Sequence, residues 1–167
     1  MNDLLMLTGT CGVGKSTIAK AWALSRRGVA ISGDQIRLWM RVREIRRAED
    51  YQHDLVTNIA IDAASRFIAK QMDVALDFVW RPNGIAMVRS AMQDMARVQA
   101  VQLVCEPAEN SRRDQLRSGN DVMGPRVAEL EQELAQLDWP ADVHRIDSTN
   151  LTVEQTLARV ERTFESM

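Results

Sequence analysis

The sequence predicts an α/β fold, a sheet of about five parallel strands covered by helices on both faces. Three observations predict it. Short apolar runs alternate with longer stretches of helical spacing along the chain. The apolar runs are nearly continuous rather than alternating, which suits strands buried on both faces. The first run also breaks into a glycine-rich turn that opens directly into a helical pattern. The 167 residues suit one domain spanning 1–167, with little room for a second core.

Asp3 to Thr8 reads as the first strand, "LLMLT" stopping at a glycine. Lys15 to about Arg26 reads as a helix with Ile18, Ala19, Trp22 and Ala23 on one face. Val29 to Ser32 is a second short strand ending at "GD", and Gln35 to Arg47 a strongly basic helix. Leu55 to Lys70 carries Leu55, Val56, Ile59, Ala60, Ala63 and Phe67 at amphipathic spacing. Asp73 to Trp80, "DVALDFVW", is a third strand closed by the turn signal "RPNG". Ile85 to Ala96 is a helix and "VQAVQLVC" a fourth strand. A helix from Glu109 to Arg117 runs into the polar loop "SGNDVMGP". Arg126 to Leu137 is helical, "DVHRI" a fifth strand, and Val153 to Phe164 a closing helix. There is no internal repeat and no low-complexity segment.

Composition narrows the function classes. Apolar residues make up 46% and charged residues 26%, ordinary values for a globular chain. A net charge of −2 gives no broad basic field, so nucleic-acid binding by bulk charge is not expected. No apolar run approaches the roughly 18 residues of a membrane span, and "MNDLLMLTGT" lacks the basic leader of a signal peptide. Cys11 and Cys105 have no CxxC spacing, which makes a reduced, cytoplasmic setting the expectation. Of the 21 basic residues only Lys15, Lys20 and Lys70 are lysine. Codon bias accounts for that, or some arginines serve as planar forks for phosphate or carboxylate.

Gly9, Gly14, Lys15 and Ser16 satisfy G-x-x-x-x-G-K-[ST], the phosphate-binding P-loop, with a strand before it and a helix after it. Glycines let consecutive N–H groups turn inward on an anion, and the new helix adds the positive end of its dipole. The backbone of Gly9, Thr10, Cys11, Gly12, Val13 and Gly14 would cradle a nucleoside triphosphate. Lys15 would reach its β- and γ-phosphates, Ser16 would hold Mg²⁺, and Thr17 would help seat the α-phosphate. Cys11 is assigned no catalytic role. There is no N-K-x-D guanine motif, and "DVMG" lies too far from the P-loop to serve a GTPase.

Three further places favour phosphoryl transfer. In "ISGDQIR", Asp34 stands just beyond a strand and Arg37 one helical turn later. Ligands bind at the carboxyl ends of strands in an open sheet. Asp34 there can take a proton from an attacking hydroxyl, bind Mg²⁺ through water, or cap the helix. Arg37 can grip an acceptor. Asp77, after an apolar run, can order Mg²⁺ or its waters, from within the strand if the strand continues past it. Arg112, Arg113, Arg117 and Arg126 flank the loop "SGNDVMGP", a lid of approximately 113–126 that can neutralise charge and exclude water. Arg112 reads as a solvated charge.

The P-loop, "GDQIR", "VALDF" and "RRDQLR…MGPR" together resemble the small P-loop kinases of the adenylate kinase-like branch. These include gluconate, shikimate, chloramphenicol and zeta-toxin kinases and the kinase half of polynucleotide kinase; the pattern "RRDxLR…MGxR" is similar to gluconate kinase-like proteins. The resemblance runs over nearly the whole chain. It implies strand order 2-3-1-4-5, ATP and Mg²⁺ as cofactors, and Asp34 as base or metal partner. It further implies that Arg37 contacts the acceptor and that Arg113, Arg117 and Arg126 contact phosphates. The loop "DSTNLT" would border the adenine. The chain lacks the "GHF" signature of gluconate kinases and the glycine-rich acceptor loop of shikimate kinases, so no acceptor name carries over.

Trp39, Tyr51, Trp80 and Arg81 are candidates to line an acceptor pocket; His53 and His144 read as surface or structural residues. The expectation is a monomeric or homodimeric phosphotransferase acting on a hydroxyl of a sugar acid, sugar, antibiotic or similar small molecule. The alternatives are a nucleotide or nucleic-acid 5′-hydroxyl kinase, and a nucleotide-dependent regulatory module with weak ATPase activity.

Overall fold

A computed structural model of the chain describes residues 1–42, 44, 51–116 and 123–165. Five parallel strands form one sheet in the order β2-β3-β1-β4-β5. They are β1 (Asn2–Thr8), β2 (Val29–Ser32), β3 (Val74–Asp77), β4 (Ala96–Val104) and β5 (His144–Asp147). The described helices are α1 (Lys15–Ser25), α2 (Gly33–Trp39), α3 (Val56–Ile68), α4 (Pro82–Met92), α5 (Pro107–Gln115), α6 (Arg126–Ala135) and α7 (Val153–Glu165). One π turn, Tyr51–Leu55, leads into α3.

The continuous apolar strands are explained by what covers them. Leu4 and Met6 of β1 face a core shared with α3 and α4, built on Ala60, Ala64, Ile85 and Val88. Leu5 and Leu7 face the opposite core, with Ile18 and Trp22 of α1 and Val160 and Phe164 of α7. All four β1 side chains are fully buried. Successive strand residues point to opposite faces, so a strand with two covered faces is apolar at every position.

Several boundaries differ from the sequence reading. The basic helix after β2 ends at Trp39 rather than Arg47, because Met40 turns to an extended backbone (ψ 102°); most of the remaining stretch lies outside the described residues. β3 closes at Asp77, three residues early, where the Phe78 N–H leaves for the Leu7 carbonyl (3.2 Å). α4 starts at Pro82 instead of Ile85, proline being preorganised for a first helical position.

The amino ends of the strands carry a charged cluster. Asp3, only 3% exposed, accepts from Arg26 (2.7 Å) and from Arg97 (2.7 and 3.0 Å). Arg26 also pairs with Asp73 at 3.2 Å and with Glu161, while its guanidinium lies 4.7 Å from the centre of a Trp22 ring. One side chain thereby joins α1, β1, the lead-in to β3, and α7.

Candidate active site

The turn after β1 is a wrapped backbone loop. Gly9, Gly12 and Gly14 have φ of 132°, 86° and 97°, a region open to glycine but strained for other residues. Space is short as well: a Cβ on Gly9 would come within 2.2 Å of the Leu103 carbonyl oxygen, and one on Gly12 within 2.4 Å of Asn110 Oδ1. Lys15 is 8% exposed and folds back, Nζ donating to the Thr10 carbonyl at 2.7 Å. Ser16 and Thr17 are exposed in the first turn of α1, which holds no acidic residue to offset the helix dipole. The loop thus gathers glycine amides, one ammonium and two hydroxyls at the start of a helix, groups whose chemistry suits a polyanion.

Two carboxylates stand at the same edge of the sheet, Asp77 on the strand next to β1 and Asp34 just past β2, one strand further out. Ser32, with φ −96° and ψ 121°, occupies the cap position of α2. Asp34 is therefore not the cap: it sits inside the first turn, because the helix begins one residue earlier, at Gly33. Gly33 is there of necessity, since a Cβ would come within 2.5 Å of the Phe78 ring. The Asp34 side chain is 53% exposed and faces Arg37 at 3.4 Å. The Arg37 Nε is buried with no hydrogen-bond partner among the described residues. Asp77 is buried at the very end of β3, opposite Leu7 in the register, rather than in mid-strand. It thus reaches the carboxyl edge of the sheet next to the strand that feeds the P-loop.

Two pockets flank the P-loop strand. On the β3 side, His53, Asp54, Thr57, Trp80, Arg81 and Asn83 help line a pocket of about 160 Å³. Trp80 is a core residue that forms its wall, packed edge-on against Phe78 with Nε1 donating to the Leu76 carbonyl (3.3 Å). His53, read as a surface or structural residue, lines this pocket beside Phe78, with ring centres 5.7 Å apart. Trp39 is exposed on α2. On the β4–β5 side a more open pocket of about 450 Å³ lies between Glu106, Glu109 and Arg112 and the Thr149–Asn150 turn. Asp147 shapes that turn: the Thr149 hydroxyl and N–H both donate to its carboxylate and hold it below the usual range.

A family model described as an AAA domain matches residues 4–140. The chain belongs to this AAA-domain family. No curated protein matches it by sequence. Among solved structures, a sugar kinase from Janibacter sp. HTCC2649 superposes with TM-score 0.73 at 16% identity, covering 99% of this chain and 95% of its own. A gluconokinase from Sinorhizobium meliloti 1021 gives 0.72 at 16%, covering 98% and 92%. An APS kinase from Mycobacterium tuberculosis, solved with AMPPNP and APS, gives 0.65 at 16%, covering 98% of both chains. The AAA domain thus has the P-loop kinase fold in the expected strand order, 2-3-1-4-5.

Arg81, Arg112, Arg113 and Arg126 of this AAA domain are engaged with acceptors of the chain itself. Arg113 donates to Glu109 (2.8 Å) and to the Ser148 and Thr149 carbonyls (both 3.0 Å), tying α5 to the turn after β5. Arg112 stays at the surface, paired with Glu109 at 2.7 Å. These two, Arg112 first, hold the Glu109 carboxyl down to about 2. Arg126 pairs with Glu129 (3.1 Å) and Glu133 (2.6 Å), and Arg81 reaches the same Glu133 at 3.6 Å. Arg117 and 118–122 lie outside the described residues.

Sequence reasoning passed over Glu133, Asn110 and Asp114. Asn110 and Asp114 are each 1% exposed on α5. Asn110 Nδ2 donates to Thr10 Oγ1 at 2.7 Å, and Asp114 accepts from the Met123 and Gly124 amides at 2.9 Å each. Their one signal in the sequence is the i, i+4 spacing, which places both on one helix face.

Proposed function

We propose that this chain, read as a single domain over 1–167, is an ATP- and Mg²⁺-dependent phosphotransferase acting on a hydroxyl of a small molecule. The observation that carries the reading is the order of features along one sheet edge. A P-loop with an inward-turned lysine follows the central strand, with a polar pocket on the β3 side and a wider one on the β4–β5 side. That order suits an acceptor on one side, the adenine of the nucleotide on the other and phosphates between them. The names of the structural neighbours, a sugar kinase, a gluconokinase and an APS kinase, support the same class.

The donor set also fits a hard cation. Among the described residues no cluster of three or more His, Cys, Asp or Glu exists, so a dedicated protein cage for a metal is not what this site offers. Mg²⁺ instead prefers one or two protein oxygens together with substrate phosphates and water. Ser16 would hold it directly, with Asp77 and Asp34 acting through water. The ion would supply charge neutralisation on the phosphates.

In the reaction the P-loop amides would fix the triphosphate, and Lys15 would leave the Thr10 carbonyl to follow the γ-phosphoryl group. Asp34 would orient the acceptor hydroxyl and take its proton at the carboxylate. Arg37 would hold the acceptor, whose other contacts would come from Asn83, Asp54 and Arg81. Arg126, with Arg117, would stabilise charge on the transferred group once released from Glu133. Phosphoryl transfer asks the protein mainly for such positioning and charge stabilisation.

A panel of sugars, sugar acids, aminoglycosides, nucleosides and RNA ends, read by acceptor-stimulated ADP release, tests the reading. One small polyol or sugar acid should stimulate release. With that acceptor, Lys15→Ala should lower turnover at least about a hundredfold, the usual worth of a charge placed on a transition state. Stimulation by RNA ends alone would favour the nucleic-acid alternative. No stimulation by any acceptor would favour a regulatory module.

A further inference from the structure

We infer that Asn110 is a positioning residue for Lys15, acting from α5 through Thr10. The inference rests on the proposed triphosphate site but concerns a residue on α5, outside the loop that would hold the phosphates. Three hydrogen bonds meet at Thr10, two at its hydroxyl and one at its backbone carbonyl. Asn110 Nδ2 donates to Thr10 Oγ1 at 2.7 Å, Thr10 Oγ1 donates to the Cys11 carbonyl at 3.2 Å, and Lys15 Nζ donates to the Thr10 carbonyl at 2.7 Å. The direction of the first bond follows from the second: a hydroxyl whose hydrogen is given to Cys11 must accept from its other neighbour. That turns Nδ2 toward Thr10 and Oδ1 toward Gly12.

The other half of the amide makes the site unusual. Among the described residues Oδ1 is buried without a hydrogen-bond partner, and it lies 2.4 Å from where a Cβ on Gly12 would stand. A buried acceptor left unpaired is costly, and apolar residues of similar volume would fill the same space without that cost. An asparagine here has a use that packing does not supply. The loop wraps around the amide at Thr10 on one side and Gly12 on the other, so the helix sets the loop's shape rather than the loop alone. Thr10 then fixes where the lysine rests before transfer.

A group acting through Lys15 should affect the transition state more than ground-state binding. Asn110→Ala and Thr10→Val remove the same hydrogen bond from its two ends. Each should lower the rate of Mg·ATP turnover, with water or with the acceptor, about tenfold, the worth of one hydrogen bond. The Kd for Mg·AMPPNP by calorimetry should change less than about threefold. The double variant should be no slower than the slower single one, because the two act through one contact. Additive losses would overturn the inference. So would turnover per folded molecule that stays normal while the melting temperature drops, which would make Asn110 a packing residue. A wild-type protein that neither binds Mg·AMPPNP nor turns over ATP would overturn the phosphotransferase reading and this inference with it.

Discussion

Asp34 stands where it does because Gly33 lies flat against the Phe78 ring. The first turn of α2 can approach the end of β3 only with no side chain at that position. Gly33→Ala should push the turn away, cost about 1–3 kcal/mol as overpacking does, and show as an earlier urea midpoint with an unchanged slope. Asp34→Asn tests the chemistry separately. The residue is half exposed and does not occupy the cap position, so the melting temperature should hold. Transfer to the acceptor should fall at least about a hundredfold, the lower end of what a general base contributes. Normal transfer by Asp34→Asn would move the base to Asp77. At this scale the P-loop was legible in the sequence because each of its positions answers to local backbone chemistry. Asn110, Asp114 and Glu133 were not, because a polar helix residue becomes a buried one only when another element covers it.

Among the elements, α5 ties three neighbours together. It meets the P-loop through Asn110, the start of α6 through Asp114 and the turn after β5 through Arg113. Glu109, in its first turn, anchors the two arginines at its last, and its carboxyl is depressed from 4.5 to about 2. A carboxyl held low in the folded state stabilises that state above its ordinary value, and the contribution is lost as the pH falls toward the folded value. Wild type should therefore melt above Glu109→Gln at pH 6, and the gap should close between about pH 4.5 and 2. A gap constant over that range would mean that the ion pairs do not contribute. The β3-side pocket belongs to this scale too. Its residues come from two separate stretches, the π turn with the start of α3, and the link after β3 with the start of α4. Strand and helix periodicity reveal that such elements exist, and leave open which loop ends meet.

Over the whole molecule the two edges of the sheet are built differently. The carboxyl edge carries glycine turns, loop ends and half-exposed carboxylates, while the amino edge is tied by Arg26 and Arg97 to Asp3, Asp73 and Glu161. Replacing Arg26 by Gln should leave Asp3 with Arg97 alone and cost about 1.5–3 kcal/mol, the range for hydrogen bonds to charged groups, measured by chemical denaturation. A loss below about 0.3 kcal/mol would make the cluster a solvated surface pair. Mechanically, the sheet is a beam clamped at one end. Amide exchange should be slowest near Leu4, Val74 and Val98 and quicken toward Thr8, Asp77 and Val104, since openings start where ties are fewest. A ligand seated at the free end would damp motion there without touching the clamp. Its effect should appear as slower exchange at the carboxyl edge against an unchanged background at the amino edge.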